Sequence, residues 1–184
     1  MRYRVLGVVG QRFDEHSTLL KRQIAAFEYL KILQAGTEIF NIDESIIRST
    51  DQRKRGWALA KNWILVSKAL RLPQISIIAA ISSSGRVFFT INQGKTTSLT
   101  FLLFLSKLCK SLDAFNTQWR KNGLFLLDNA TFHKSERALD GYKRMGLPIM
   151  FLGPYSFNMA AVEKLFSFVK NRDLNPLATR AYSR

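Results

Sequence analysis

Residues 124–133, LFLLDNATFH, join four apolar residues directly to an acid. An apolar run of this kind suits a central strand that is buried on both faces. Asp128 then stands where the strand stops, and a lone carboxylate is costly to bury unless it is paired or binds a cation. The alternative is that Asp128 starts a turn or caps a helix, because Asp-Asn is common turn chemistry. Other stretches of the chain bear on that choice.

The composition indicates a globular protein with an anionic partner. Of the 184 residues, 47% are hydrophobic and 22% charged, which is typical of one folded domain. Lys plus Arg number 28 against 13 for Asp plus Glu, and this formal charge of +15 predicts DNA or RNA as the partner. The lone Cys109 suggests a small core residue in a reducing compartment. No apolar run approaches the roughly 18 residues of a membrane span, so we expect a soluble intracellular protein.

The apolar patterns predict three closely linked strands, followed by strands that alternate with helices. Strands are expected over 39–45, 75–82, 87–92, 123–128 and 148–152, and helices over 18–34, 98–112, 135–145 and from about 156 or 158 to 170. Short links favour antiparallel pairing of the first three strands, and crossover helices favour parallel pairing of the later ones. The predicted fold is α/β, a mixed five-stranded sheet with helices on both faces, which is the ribonuclease-H-like layout.

Two further acids occupy positions comparable with that of Asp128. Asp43 is expected to end the first strand, beside Asp128 in a sheet of this order, and Glu163 lies early in the last helix on the flank of its buried face. For Glu163 alone, the helix dipole or a salt bridge to a nearby lysine is a sufficient explanation. Three carboxylates about 5 Å apart would repel by roughly 3 kcal/mol per pair at an effective dielectric of about 20. Divalent cations would relieve that repulsion, and oxygen-only ligands suit two Mg²⁺ or Mn²⁺ ions.

Residues 48–71 are basic and contain tryptophans. Basic residues interleaved with aromatic ones are typical of segments that contact phosphates and stack on unpaired bases. The alternative is a solvated loop whose tryptophans fill the core. The candidate DNA-binding residues are Arg53, Lys54, Arg55, Trp57 and Lys61.

Four stretches together resemble the catalytic blocks of DDE transposases of the mariner and insertion-sequence superfamily. They are IFNIDES at 39–45, KRGWALAKN at 54–62, LFLLDNATFH at 124–133 and PYSFNMAAVEKLFSFVK at 154–170. Thirty-four residues separate Asp128 from Glu163, a spacing that is characteristic of one branch of this family. The resemblance extends over about residues 20–172.

The resemblance implies that Asp43, Asp128 and Glu163 form a catalytic triad that binds two Mg²⁺ or Mn²⁺ ions. It implies cleavage of DNA at transposon ends and joining of the 3′-hydroxyls to target DNA. A homodimer is expected because two ends must be paired. Asn129 and His133 fall on the family's Asp-Asn-x-x-x-His block and are expected to shape the loop beneath the metals. Phe157 resembles the eukaryotic version of its block, which favours a nuclear location.

Two departures from the family pattern leave a second function open. Ala160 and Ala161 replace a common Asn-Pro pair, which loosens the lead-in to Glu163. Residues 1–35, a basic segment with a lead-in helix, are too short for the family's paired helix-turn-helix units. We expect the catalytic domain over 36–172 and a tail over 173–184. The alternatives are a catalytically silent transposase relic that binds DNA and a structure-selective nuclease of the same fold.

Overall fold

The computed structural model describes residues 15–47, 74–156 and 160–171. Five strands form one sheet in the order β3-β2-β1-β4-β5. The elements are α1 (His16–Gln34), β1 (Glu38–Ile47), β2 (Ile75–Ser82), β3 (Val87–Gln93), α2 (Ser98–Phe115), α3 (Trp119–Asn122), β4 (Gly123–Leu127), α4 (Glu136–Arg144), β5 (Ile149–Phe151) and α5 (Ala161–Asn171). Strands β1, β2 and β3 pair antiparallel, whereas β4 pairs parallel with both β1 and β5. The predicted mixed sheet is therefore confirmed.

Helices cover both faces of the sheet, which explains why residues 39–42 of β1 and most of β4 are buried without alternation. On one face, Phe40 and Phe125 pack among the buried residues of α2 and α4. On the other face, Leu126 packs against Val162 and Phe166 of α5. Each central strand therefore contributes successive residues to two separate cores. Cys109 is buried in the first of these cores, as its apolar setting predicts.

Helix α1 forms where the spacing predicts it, but its apolar residues do not enter a core. Ile24 and Phe27 are 51% and 66% exposed, and no residue of α1 is buried among the residues that the structure describes. Tyr29 and Ile32 pack at the margin of the core that contains α5. The spacing of apolar residues therefore predicted the α1 helix correctly but did not predict the exposure of those residues.

Two boundaries differ from prediction in ways that matter for the acids. Asp43 does not end its strand, because β1 continues to Ile47 by pairing with β2, and Asp43 itself faces Ala79 there. The parallel pairing of β1 with β4 stops earlier, at Asn41 and Leu126. Asp43 therefore lies beyond the end of β4 but inside β1.

Helix α5 begins at Ala161, later than a cap at Ser156 would place it. The Ser156 hydroxyl donates to the Pro154 carbonyl instead. The other expected cap, Asn158, lies outside the described residues. Helix α3 was not predicted, since four residues are too few to show a period. None of the described helices has the length and apolarity needed to span a membrane.

Candidate active site

Asp43, Asp128 and Glu163 line the same cavity, which has a volume of about 350 Å³. Asp43 is carried by β1, Asp128 directly follows β4, and Glu163 lies in the first turn of α5. Parallel strands present their carboxyl ends at one edge of a sheet, and α5 begins over that edge. The fold thus brings together three acids that are up to 120 positions apart in sequence.

Burial is the main influence on Asp43 and raises the pKa of its carboxyl group to about 7. The Glu44 backbone N–H donates to Asp43 Oδ1 at 2.8 Å, which works in the opposite direction. The negative charges of Glu44, Asp128 and Glu163 raise the pKa further. Both protonation states of the Asp43 carboxyl are therefore accessible near neutral pH.

Asp128 is held by the loop that follows it. Its Oδ1 accepts a hydrogen bond from the Ala130 backbone N–H at 2.9 Å and lies 2.8 Å from His133 Nδ1. Burial works to raise the pKa of Asp128, but these two bonds and the charge of His133 outweigh it and lower the pKa below its usual value. Asp128 is consequently ionised at neutral pH.

His133 is fully buried between two carboxylates. Its Nε2 lies 3.0 Å from Oε1 of Glu44, whose side chain is only 11% exposed. Burial works to lower the pKa of His133, but the bonds to Asp128 and Glu44 dominate and raise it to about 9. His133 is thus an imidazolium that donates from both ring nitrogens, and it connects β1 to the loop after β4.

Asn129 connects the loop that follows Asp128 to the end of β5. Its side-chain amide donates to the Leu152 carbonyl, and the Leu152 N–H donates to the Leu127 carbonyl at 2.8 Å. These bonds join the loop that carries Asp128 to the end of β5. The predicted supporting positions, Asn129 and His133, therefore both lie against the loop of Asp128.

The three acids supply the donor type that Mg²⁺ and Mn²⁺ prefer, namely carboxylate oxygen. They border an open cavity, and their mutual repulsion contributes to the raised pKa of Asp43. Both bonds to Asp128 described above reach Oδ1, which leaves Oδ2 as its oxygen for a cation. As placed, no three His, Cys, Asp or Glu side chains of the described ranges are arranged to hold an ion together. The residues fit a divalent cation in chemistry.

The predicted DNA-binding residues Arg53, Lys54, Arg55, Trp57 and Lys61 all fall in 48–73, outside the described residues. Their role stays a prediction.

A family model described as a DDE superfamily endonuclease matches residues 38–181. The chain belongs to this family. The match spans all three acids and confirms the resemblance that the sequence motifs indicated. No curated protein matches the chain.

Solved structures show the same fold as this DDE chain. The Mos1 mariner paired end complex with Mn superimposes with a TM-score of 0.70 at 15% identity, covering 98% of this chain and 58% of that chain. The Mos1 strand transfer complex gives 0.67 at 15% identity, covering 91% and 52%. The catalytic domain of Mos1 mariner transposase gives 0.60 at 14% identity, covering 97% and 82%. The predicted ribonuclease-H-like class is thereby confirmed, and the chain spans under two thirds of the Mos1 chains in the complexes.

Sequence reasoning missed two polar residues near the three acids, Glu44 and Asn41. Glu44 is the acid that faces His133, and Asn41 accepts a hydrogen bond from the Val162 backbone N–H at 2.8 Å. A signal was present for Asn41, because an amide inside the apolar run IFNI needs a buried partner. The partner itself was not predictable, since 121 positions separate Asn41 from Val162.

Proposed function

We propose that this chain is the catalytic domain of a DNA transposase, with Asp43, Asp128 and Glu163 as its metal-binding catalytic residues. The main support for this proposal is that the three carboxylates line one cavity at the edge of the sheet. Membership of the DDE superfamily endonucleases supports DNA cleavage as the reaction. Likeness to complexes described as paired end and strand transfer complexes supports transposition over simple hydrolysis.

Two divalent ions, Mg²⁺ or Mn²⁺, would activate water or a 3′-hydroxyl and stabilise the leaving oxygen when bound. The protein's own part is to hold charged oxygens in place at the cavity. His133 keeps Asp128 ionised and fixes its Oδ1. The pKa of Asp43 is raised to about 7, so its carboxyl must be deprotonated before it can act as a ligand.

DNA is the proposed substrate and partner. The formal charge of +15 supplies the attraction to phosphates, and the basic block with Arg53, Lys54, Arg55, Trp57 and Lys61 is the proposed contact. We further propose a homodimer, since joining of two transposon ends requires two active sites. We also propose a nuclear location. The paired end complexes of Mos1 are consistent with such pairing.

The test combines calorimetric titration of Mn²⁺ with nicking of DNA that carries transposon-like ends. The parent, Asp128→Asn and Asp140→Asn are compared. Asp140 is the matched control, because it is an exposed α4 carboxylate paired with Arg144 and makes no part of the cavity. We expect Asp128→Asn to lose Mn²⁺ binding and nicking while its circular dichroism spectrum is unchanged. Asp140→Asn should behave as the parent.

Equal nicking by Asp128→Asn would overturn the proposal. If the parent binds DNA in a salt-dependent manner but neither binds Mn²⁺ nor nicks, the silent DNA-binding relic is the correct reading. Preference for branched DNA over transposon ends would instead indicate a structure-selective nuclease.

A further inference from the structure

Helix α5 begins directly after Ala160, whose side chain cannot cap it. The first backbone N–H groups of a helix need partners, and Ala160 offers only its backbone carbonyl as an acceptor. The Glu163 N–H reaches the Ala160 carbonyl at 3.2 Å. The Val162 N–H belongs to a fully buried residue, so an unmade hydrogen bond there would be costly.

Asn41, on β1, supplies an acceptor for the Val162 N–H. Its Oδ1 accepts from the Val162 N–H at 2.8 Å, and its side chain is buried. The other end of the same amide, Nδ2, donates to the Leu126 carbonyl of β4 at 3.5 Å. One side chain on β1 therefore contacts both β4 and the first turn of α5.

The position of Asn41 relates it to each of the three acids. It precedes Asp43 by two residues on β1, and alternate residues of a strand share a face. Its β4 neighbour Leu126 precedes Asp128 by two residues, and its α5 partner Val162 immediately precedes Glu163. A hydrogen bond at residue 162 fixes the helix turn that carries Glu163, because neighbouring backbone atoms cannot move independently.

We infer that Asn41 is a positioning residue for Glu163, which anchors the first turn of α5 to β1 and so sets Glu163 beside Asp43. The inference rests on the proposed function, since position matters only if Glu163 serves as a ligand. Asn41 itself is not proposed to touch the metal or the DNA. Positioning partners of metal ligands typically affect metal affinity by about 10- to 100-fold.

The test uses the full 184-residue chain in the parent form and as Asn41→Leu, Asn41→Asp and Ile78→Val. Leucine is close to asparagine in size and removes the acceptor, whereas aspartate retains an oxygen that can accept from Val162. Ile78→Val is a control for lost stability, because Ile78 is fully buried in the core on the opposite face of the sheet. If leucine prevents folding, Asn41→Ala removes the same acceptor with less bulk.

Two measurements separate anchoring from metal binding: hydrogen exchange of the Val162 amide by NMR without metal, and calorimetric titration of Mn²⁺. In Asn41→Leu we expect Val162 to exchange about tenfold faster or more, with interior α5 amides such as that of Phe166 unchanged. Mn²⁺ affinity should fall about tenfold or more. Asn41→Asp should keep the protection of Val162 and bind Mn²⁺ at least as tightly as the parent, and Ile78→Val should match the parent in both.

Parental protection of Val162 in Asn41→Leu would overturn the inference, and so would lost protection with unchanged Mn²⁺ affinity. Absence of Mn²⁺ binding by the parent would instead contradict the proposed function. In that case the exchange data still decide the anchoring: protection lost only at the start of α5 supports it, and unchanged protection refutes it.

Discussion

Asp128 and Glu163 border the same cavity, yet their surroundings differ sharply. Asp128 is bonded to Ala130 and to the buried His133, which is bonded in turn to Glu44. Glu163 is exposed, and its helix turn is tied to the sheet by the hydrogen bond that the Val162 N–H donates to Asn41. One acid is thus fixed by its own side chain and the other by its backbone. We propose that folding fixes the Asp128 carboxylate, whereas the Glu163 carboxylate is held through its backbone and would be fixed fully only by a bound cation.

The largest expected effect on stability comes from removing the His133 side chain, which holds Asp128. His133→Leu should lower the free energy of unfolding by about 3 kcal/mol at pH 7, because it leaves the largely buried Glu44 carboxylate without its partner. Urea denaturation followed by circular dichroism measures this. His16→Leu, at an exposed position of α1, is the matched control and should change the free energy by less than about 0.5 kcal/mol.

The pH dependence of that loss tests its electrostatic origin. The folded-state pKa of His133 is about 9, above its usual 6.5. Its stabilising contribution is therefore complete below pH 6.5 and disappears as the pH rises through 9. The difference between the parent and His133→Leu should be greatest near pH 6 and shrink by pH 10. A constant difference would indicate packing alone.

Asp43, the third acid of the cavity, should make metal affinity dependent on pH. Its folded-state pKa of about 7 means that below pH 7 a proton must leave before a cation binds. Mn²⁺ affinity should thus rise about tenfold, or 1.4 kcal/mol, per pH unit up to pH 7 and then level off. Titrations in buffers of different ionisation enthalpy should show about one proton released at pH 6 and almost none at pH 8. No proton release at pH 6 would contradict the raised pKa.

Local sequence was a good guide to the sheet and to the grouping of the acids. The hairpin between β2 and β3 and the crossover helices were sufficient for the strand directions, and the ribonuclease-H-like layout placed the first strand beside the fourth. Asp43 was misplaced at a strand end because the length of β1 is set by pairing with β2, which no local pattern reports. Glu44 and Asn41 were missed for the same reason: their partners are 89 and 121 positions away.

A smaller effect is expected where the loop of Asp128 meets β5. Asn129→Ala removes the hydrogen bond to the Leu152 carbonyl and should lower the free energy of unfolding by about 1 kcal/mol. Asn92→Ala is the control, since the buried amide nitrogen of Asn92 has no partner in the described part of the chain. Equal losses in the two variants, measured by urea denaturation, would show that the Asn129 bond does not contribute to holding the loop.

The smallest effect on stability is expected for substitution of Glu163, which is held through its backbone. Glu163→Gln should change the free energy of unfolding by no more than about 0.5 kcal/mol, because Glu163 is exposed. The lost favourable contact with the helix dipole and the relieved repulsion of Asp43 also oppose each other.

The matched control is Glu136→Gln, because Glu136 is an exposed acid in the first turn of α4. Only Glu163→Gln should lose Mn²⁺ affinity in calorimetry. A stability loss as large as that of His133→Leu would mean that folding fixes the Glu163 side chain as well as its backbone, and the contrast with Asp128 would disappear.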